Sequence, residues 1–67
     1  MKITLNNRTE TFDCPSMTMG ELMKIKNFTY KKIIVKHNNK IVEPHEYDST
    51  IIKENDIVVV LHLLAGG

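Results

Sequence analysis

Ile57-Val58-Val59-Val60-Leu61-His62-Leu63-Leu64 is the strongest strand signal in the chain, and it runs directly into Ala65-Gly66-Gly67. β-branched and leucine side chains fit a pleated, buried surface. A period of two places Val58 and Val60 on one side and Ile57, Val59, Leu61 and Leu63 on the other. Both sides are apolar, which a central strand covered on both faces would explain. The chain has only 67 residues, and one short helix can cover only one face of a sheet. The expectation is therefore a strand with Val58 and Val60 in the core, and Val59, Leu61 and Leu63 on an open patch suited to docking.

Working outward, Lys2–Asn6 alternates Ile3 and Leu5 with Lys2 and Thr4 and reads as a strand. Asn6-Asn7-Arg8 is a turn, because asparagine tolerates positive φ. Thr9–Asp13 is the returning strand, with Phe12 inward and Pro15 ending it. Thr18 and Glu21 stand at capping-box spacing, with Met17 and Leu22 placed as a hydrophobic staple. The helix they open carries Met19, Leu22 and Met23 on one face, extended by Ile25, and ends near Asn27. Gly20 weakens it, so packing must hold it. Lys31–His37 is a strand, Asn38-Asn39-Lys40 a turn, and Ile41-Val42 a short strand stopped by Pro44. Residues 45–55 are irregular, anchored by Tyr47 and Ile51-Ile52, and Glu54-Asn55-Asp56 turns the chain into the last strand. The order β-β-α-β-β-β predicts an α+β fold, one helix on a small mixed sheet. Residues 1–64 form one domain, with 65–67 a flexible tail.

Composition narrows the function classes. Hydrophobic residues make up 42% and charged residues 25%, as in ordinary folded domains. The formal net charge of +1 lacks the basic excess of a nucleic-acid binder. The charges are nevertheless divided: residues 1–40 hold eight cations against three acids, and residues 41–67 hold one against five. Such a dipole is either chance or a means of steering a partner. Cys14 is the only cysteine, so no internal disulfide forms. Met1-Lys2-Ile3-Thr4 has no apolar leader, and the longest apolar run, Ile57–Leu61, is too short for a membrane span. The expected location is the cytosol.

The chemical group the sequence offers is its end. Ala65-Gly66-Gly67 has almost no side chain to obstruct a narrow cleft, and an α-carboxylate is ionised at neutral pH. Such a carboxylate can attack the α-phosphate of ATP. The pyrophosphate leaving group then requires Mg²⁺ and cations. The chain has no Gly-rich phosphate loop followed by lysine, so a partner must supply the ATP site.

The chain resembles the ThiS family of thiamine-biosynthesis sulfur carriers, and more distantly the small molybdopterin-synthase subunit and ubiquitin. The resemblance is carried by the Met1–Leu5 strand, Thr18 with Glu21-Leu22-Met23, Asn39 ahead of Val42 and Pro44, Asp56 heading an apolar strand, and Ala65-Gly66-Gly67. It implies a β-grasp, ubiquitin-like fold. It also implies that Gly67 is adenylated by an E1-like, ThiF-like adenylyltransferase and converted to a thiocarboxylate with sulfur from a donor system. A ThiG-like thiazole synthase then receives the sulfur. Both enzymes dock on the open sheet face beside the tail, which maps to Val59, Leu61 and Leu63, with His62 adjoining. The chain departs from the family pattern at Asn55, Lys40 and His45, where Gly, Gly and Arg are frequent.

The expectation is a carrier rather than an enzyme, monomeric when free, with no cofactor, metal, nucleic acid or membrane of its own. A molybdopterin-type sulfur carrier is the nearest alternative. A ubiquitin-like interaction or modifier domain without sulfur transfer is the next. Cys14 reads as a small buried hydrophobe rather than a sulfur relay. His37, His45 and His62 lack metal-ligand spacing, and His62 is either a partner contact or an exposed strand histidine.

Overall fold

The computed structural model describes residues 1–28 and 33–62. The strands are β1 (Lys2–Leu5), β2 (Arg8–Thr11), β3 (Ser16–Thr18), β4 (Ile33–His37), β5 (Lys40–Val42), β6 (Ile51–Lys53) and β7 (Ile57–His62). The helix α1 spans Met19–Ile25, and Pro44–Glu46 makes a single 3₁₀ turn. Five strands form one sheet in the order β2-β1-β7-β4-β5. β1 and β7 run parallel at its centre, and the outer pairs are antiparallel. This is the α+β class that the pattern predicts and the β-grasp architecture that the resemblance implies. The short strands β3 and β6 are additions, pairing with each other in a separate ribbon.

Asparagine shapes the corners. All six asparagines of the chain, Asn6, Asn7, Asn27, Asn38, Asn39 and Asn55, have positive φ. Asn6-Asn7 and Asn38-Asn39 each form a two-residue hairpin with positive φ at both positions, as a type I′ turn requires. Asn55, at φ 70°, takes the left-handed conformation that the turn into β7 needs.

The helix begins as its capping box dictates. Glu21 N–H donates to Thr18 Oγ1 at 3.0 Å, and Thr18 N–H donates to Glu21 Oε1 at 2.9 Å. The next orphan donors are met by the following loop: Met19 N–H reaches Thr50 O at 2.8 Å and Gly20 N–H reaches Tyr47 O at 3.0 Å. An added Cβ at Gly20 would lie 2.5 Å from Asp48 Oδ1, so the exposed Asp48 carboxylate would have to swing aside. The far end closes as a Schellman motif. Phe28 N–H returns to Met23 O at 2.9 Å and Asn27 N–H to Lys24 O at 3.1 Å, with Asn27 at φ 56°.

Met19, Leu22 and Met23 pack on Ile3, Leu5, Val35, Val58 and Val60, and Met17 and Ile52 join them from the β3–β6 ribbon. Ile25 does not extend the buried face. It is 58% exposed, at the last residue of the helix. Ile51 is likewise exposed while Ile52 is buried, since the two alternate across β6. β2 ends at Thr11, before Phe12, which packs half-buried against the core. Tyr47 and Cys14 pack there in the same way. The expected helix end near Asn27 holds. The first two residues of the Lys31–His37 strand lie outside the described residues.

Candidate functional site

The site is assembled around β7, which is held on both flanks. Along β4 the pairs are Ile33 with His62, Ile34 with Leu61, Val35 with Val60, Lys36 with Val59 and His37 with Val58. Along β1 the pairs are Thr4 with Ile57 and Leu5 with Val58. The β1 ladder would stop there, but Asn6 extends it. Its N–H donates to Val58 O at 3.0 Å, and its carboxamide oxygen accepts the Val60 N–H at 2.8 Å.

The start of β7 is fixed by Asp56. One carboxylate oxygen accepts the Lys53 N–H at 2.9 Å and lies 2.6 Å from His37 Nε2. The other accepts Asn38 Nδ2 at 3.2 Å. Asn38 Oδ1 in turn accepts the Ile57 N–H at 2.8 Å. Burial raises the Asp56 pKa, but the hydrogen bonds from His37, Lys53 and Asn38 outweigh it and hold the carboxyl below its ordinary value. The distinctive aspartate ahead of the apolar strand is thus a brace that joins the β4–β5 turn to β7.

The two sides of β7 separate as the alternation requires. Val58 is fully buried and Val60 is 8% exposed, beneath α1. Ile57 and Leu61 are 52% and 47% exposed on the other side, with Val59 half-buried between them. Register adds neighbours that the reading of β7 alone omitted. Ile34 lies opposite Leu61, and Lys36 lies between Val59 and the 60% exposed Ile41 of β5. The signal was present in Ile34-Val35-Lys36, but the inward residue of that trio could be assigned only once Val35 was paired with Val60. The result is an open apolar strip across three strands, interrupted by one lysine.

His62 ends β7 opposite Ile33 and is exposed. Its parity is that of Val58 and Val60, so it stands on the helix side of the sheet, across the strand from Leu61. Leu63, Ala65, Gly66 and Gly67 lie outside the described residues. Cys14 is a half-buried free thiol. Among the described residues, no group of three His, Cys, Asp or Glu side chains could hold a metal ion.

A model of the ThiS family matches residues 2–67. The crystal structure of the thiamine biosynthesis protein ThiS from Geobacter metallireducens is similar with a TM-score of 0.89 and 28% identity, over 100% of both chains. A solution structure of a thiamine biosynthesis protein from Geobacter metallireducens gives 0.81 at 28% identity, over 100% of this chain and 88% of that one. A thiazole synthase from Magnetococcus marinus is 30% identical over 67 residues, which is 100% of this chain and 20% of that protein. The chain therefore spans about a fifth of that relative's length.

Proposed function

The chain belongs to the ThiS family of sulfur carriers of thiamine biosynthesis, and on that premise we propose that the group it carries sulfur on is the Gly67 carboxylate. The observation that carries this reading is β7 itself. It is braced at its head by Asp56, laced to β4, pinned to β1 as far as Val60, and leads in sequence into Leu63-Leu64-Ala65-Gly66-Gly67. A rigid strand fixes the direction in which the following residues set out. Five residues beyond His62 can extend at most about 17 Å, enough to enter an active site within a partner.

The chemistry is acyl activation. A carboxylate oxygen of Gly67 attacks the α-phosphorus of ATP, and pyrophosphate leaves with its Mg²⁺. A donor delivering sulfur at the oxidation level of sulfide then attacks the acyl carbon. AMP departs, leaving a thiocarboxylate with no net redox change. The chain is the co-substrate in each step, and an E1-like adenylyltransferase supplies the ATP site. The open strip of Ile34, Ile41, Ile57, Val59 and Leu61, continued in sequence by Leu63, docks that enzyme in the cytosol.

The acceptor is a thiazole synthase. Support comes from the Magnetococcus relative of that name, which contains a segment similar to this whole chain within a much longer protein. Reconstitution tests the assignment. The thiocarboxylate form, mixed with thiazole synthase and that enzyme's other substrates, should revert to the carboxylate as thiazole appears. Sulfur transfer to a pterin acceptor instead of thiazole would assign a different pathway.

A further inference from the structure

On the helix side of the sheet, a cleft of about 410 Å³ opens between the end of α1 and the β1–β2 turn, lined by Leu5, Asn6, Arg8, Glu10, Lys26 and Phe28. Its charges are unequal in status. Lys26 Nζ binds both Glu10 carboxylate oxygens at 2.9 Å, so these two neutralise each other. Arg8 stands on the same side of β2 as Glu10, opposite Leu5, and is exposed. Among the described residues no carboxylate pairs with it. The cleft therefore presents one unmatched guanidinium beside the half-buried ring of Phe28.

Its position links it to β7. Asn6 lines the cleft and also holds the Val60 N–H, two residues before the strand ends. The cleft therefore adjoins the strand that leads in sequence into the residues after His62. We propose that the cleft seats a carboxylate side chain of a partner that receives those residues, paired with Arg8, as a second anchor on the face opposite the apolar strip. The partner's identity rests on the carrier reading, whereas the preference for a carboxylate does not. A guanidinium binds a planar carboxylate through two parallel hydrogen bonds. The net charge of the lining, Arg8 and Lys26 against Glu10, matches a monoanion. A phosphate dianion would meet Glu10 with a single free cation to oppose it.

Two measurements test this. In the first, the ¹⁵N-labelled chain is titrated with N-acetylglutamate N-methylamide, its glutamine counterpart and inorganic phosphate at matched ionic strength. The amides of Asn6, Arg8 and Phe28 should shift with the glutamate probe, not with the glutamine one, and Arg8→Ala should abolish the shifts. Larger shifts with phosphate, shifts on raising protein concentration alone, or no shift with glutamate would each overturn the proposal. The first would mark a phosphate site and the second a contact with another copy of the chain. In the second, affinity for the adenylyltransferase is measured. Arg8→Glu should weaken it about tenfold or more, because it turns an attraction between close charges into a repulsion. Lys53→Glu, an equal charge change at an exposed position of β6, should stay within about twofold. Equal effects of the two would reduce Arg8 to a contributor to net charge. If the wild type binds the enzyme but gains no sulfur, the carrier reading fails while both cleft measurements remain decisive.

Discussion

Val60 donates its main-chain N–H to the carboxamide oxygen of Asn6 at 2.8 Å, across 54 positions of sequence. Asn6 thus has two tasks. It takes positive φ in the turn, and it replaces the carbonyl that β1 would have supplied had it continued. A partly buried strand N–H left without a partner is destabilising, so this side chain keeps β7 on the sheet where it leads toward the tail.

Two variants separate those tasks. Asn6→Gly keeps the left-handed backbone and loses the acceptor, and should lower stability by about 1 kcal/mol. Asn6→Ala loses both and should cost roughly a further 1 kcal/mol. Urea unfolding gives the stabilities. Hydrogen exchange at the Val60 amide should quicken in both variants, and unchanged protection there would refute the latch.

Asp56 predicts the acid response. Its carboxyl is held below the ordinary value in the fold, whereas in the unfolded chain an aspartate titrates near about 3.9. The folded state therefore binds this proton less readily. The stabilisation is fully present above the unfolded value and is lost as pH falls through the lower folded one. Asp56→Asn should be less stable than wild type at neutral pH and should show a shallower decline below about pH 4. Urea midpoints measured across that range check it. Parallel declines in the two proteins would remove Asp56 from the acid response.

The faces of β7 make opposite predictions for adjacent residues. Val60→Asp buries an unpaired charge and should destabilise the fold by more than about 3 kcal/mol. Leu61→Asp, on the exposed side, should change stability by about 0.5 kcal/mol or less. It should nevertheless weaken adenylyltransferase binding by tenfold or more, if Leu61 lies in the centre of the docked strip. Thermal melts and calorimetric titrations of both variants decide between packing and docking.

Much of this architecture was legible because local chemistry and global fold agree. The Thr18–Glu21 capping box and the alternation in β7 appear as read, and Met17 and Leu22 are both buried in the one core. The misplacements have definite causes. Ile25 continues the helical apolar stripe, but it is the last residue of the helix and stays exposed. β3 and β6 are three residues each, too short to show a period, and they form only because tertiary folding brings Met17 beside Ile52. His37 carried no local signal, since its partner Asp56 is 19 positions away. The outward direction of Ile34 and Ile41 depends on strand register, which no single stretch of sequence specifies. The Arg8 cleft required both the hairpin and the helix end to be placed.

The carrier account turns on one observation, the mass of the intact chain after incubation with the adenylyltransferase, ATP, Mg²⁺ and a sulfide source. The chain ending in Gly67 should gain the mass of one sulfur replacing one oxygen, localised to the Gly67 carboxyl by fragmentation. A version with one residue appended after Gly67 should remain unmodified. The extra residue would carry the carboxylate about 3.3 Å beyond its reaction position, and misplacement by about 1 Å can already lower a rate a hundredfold. Equal modification of both chains, or sulfur found on Cys14, would contradict the account.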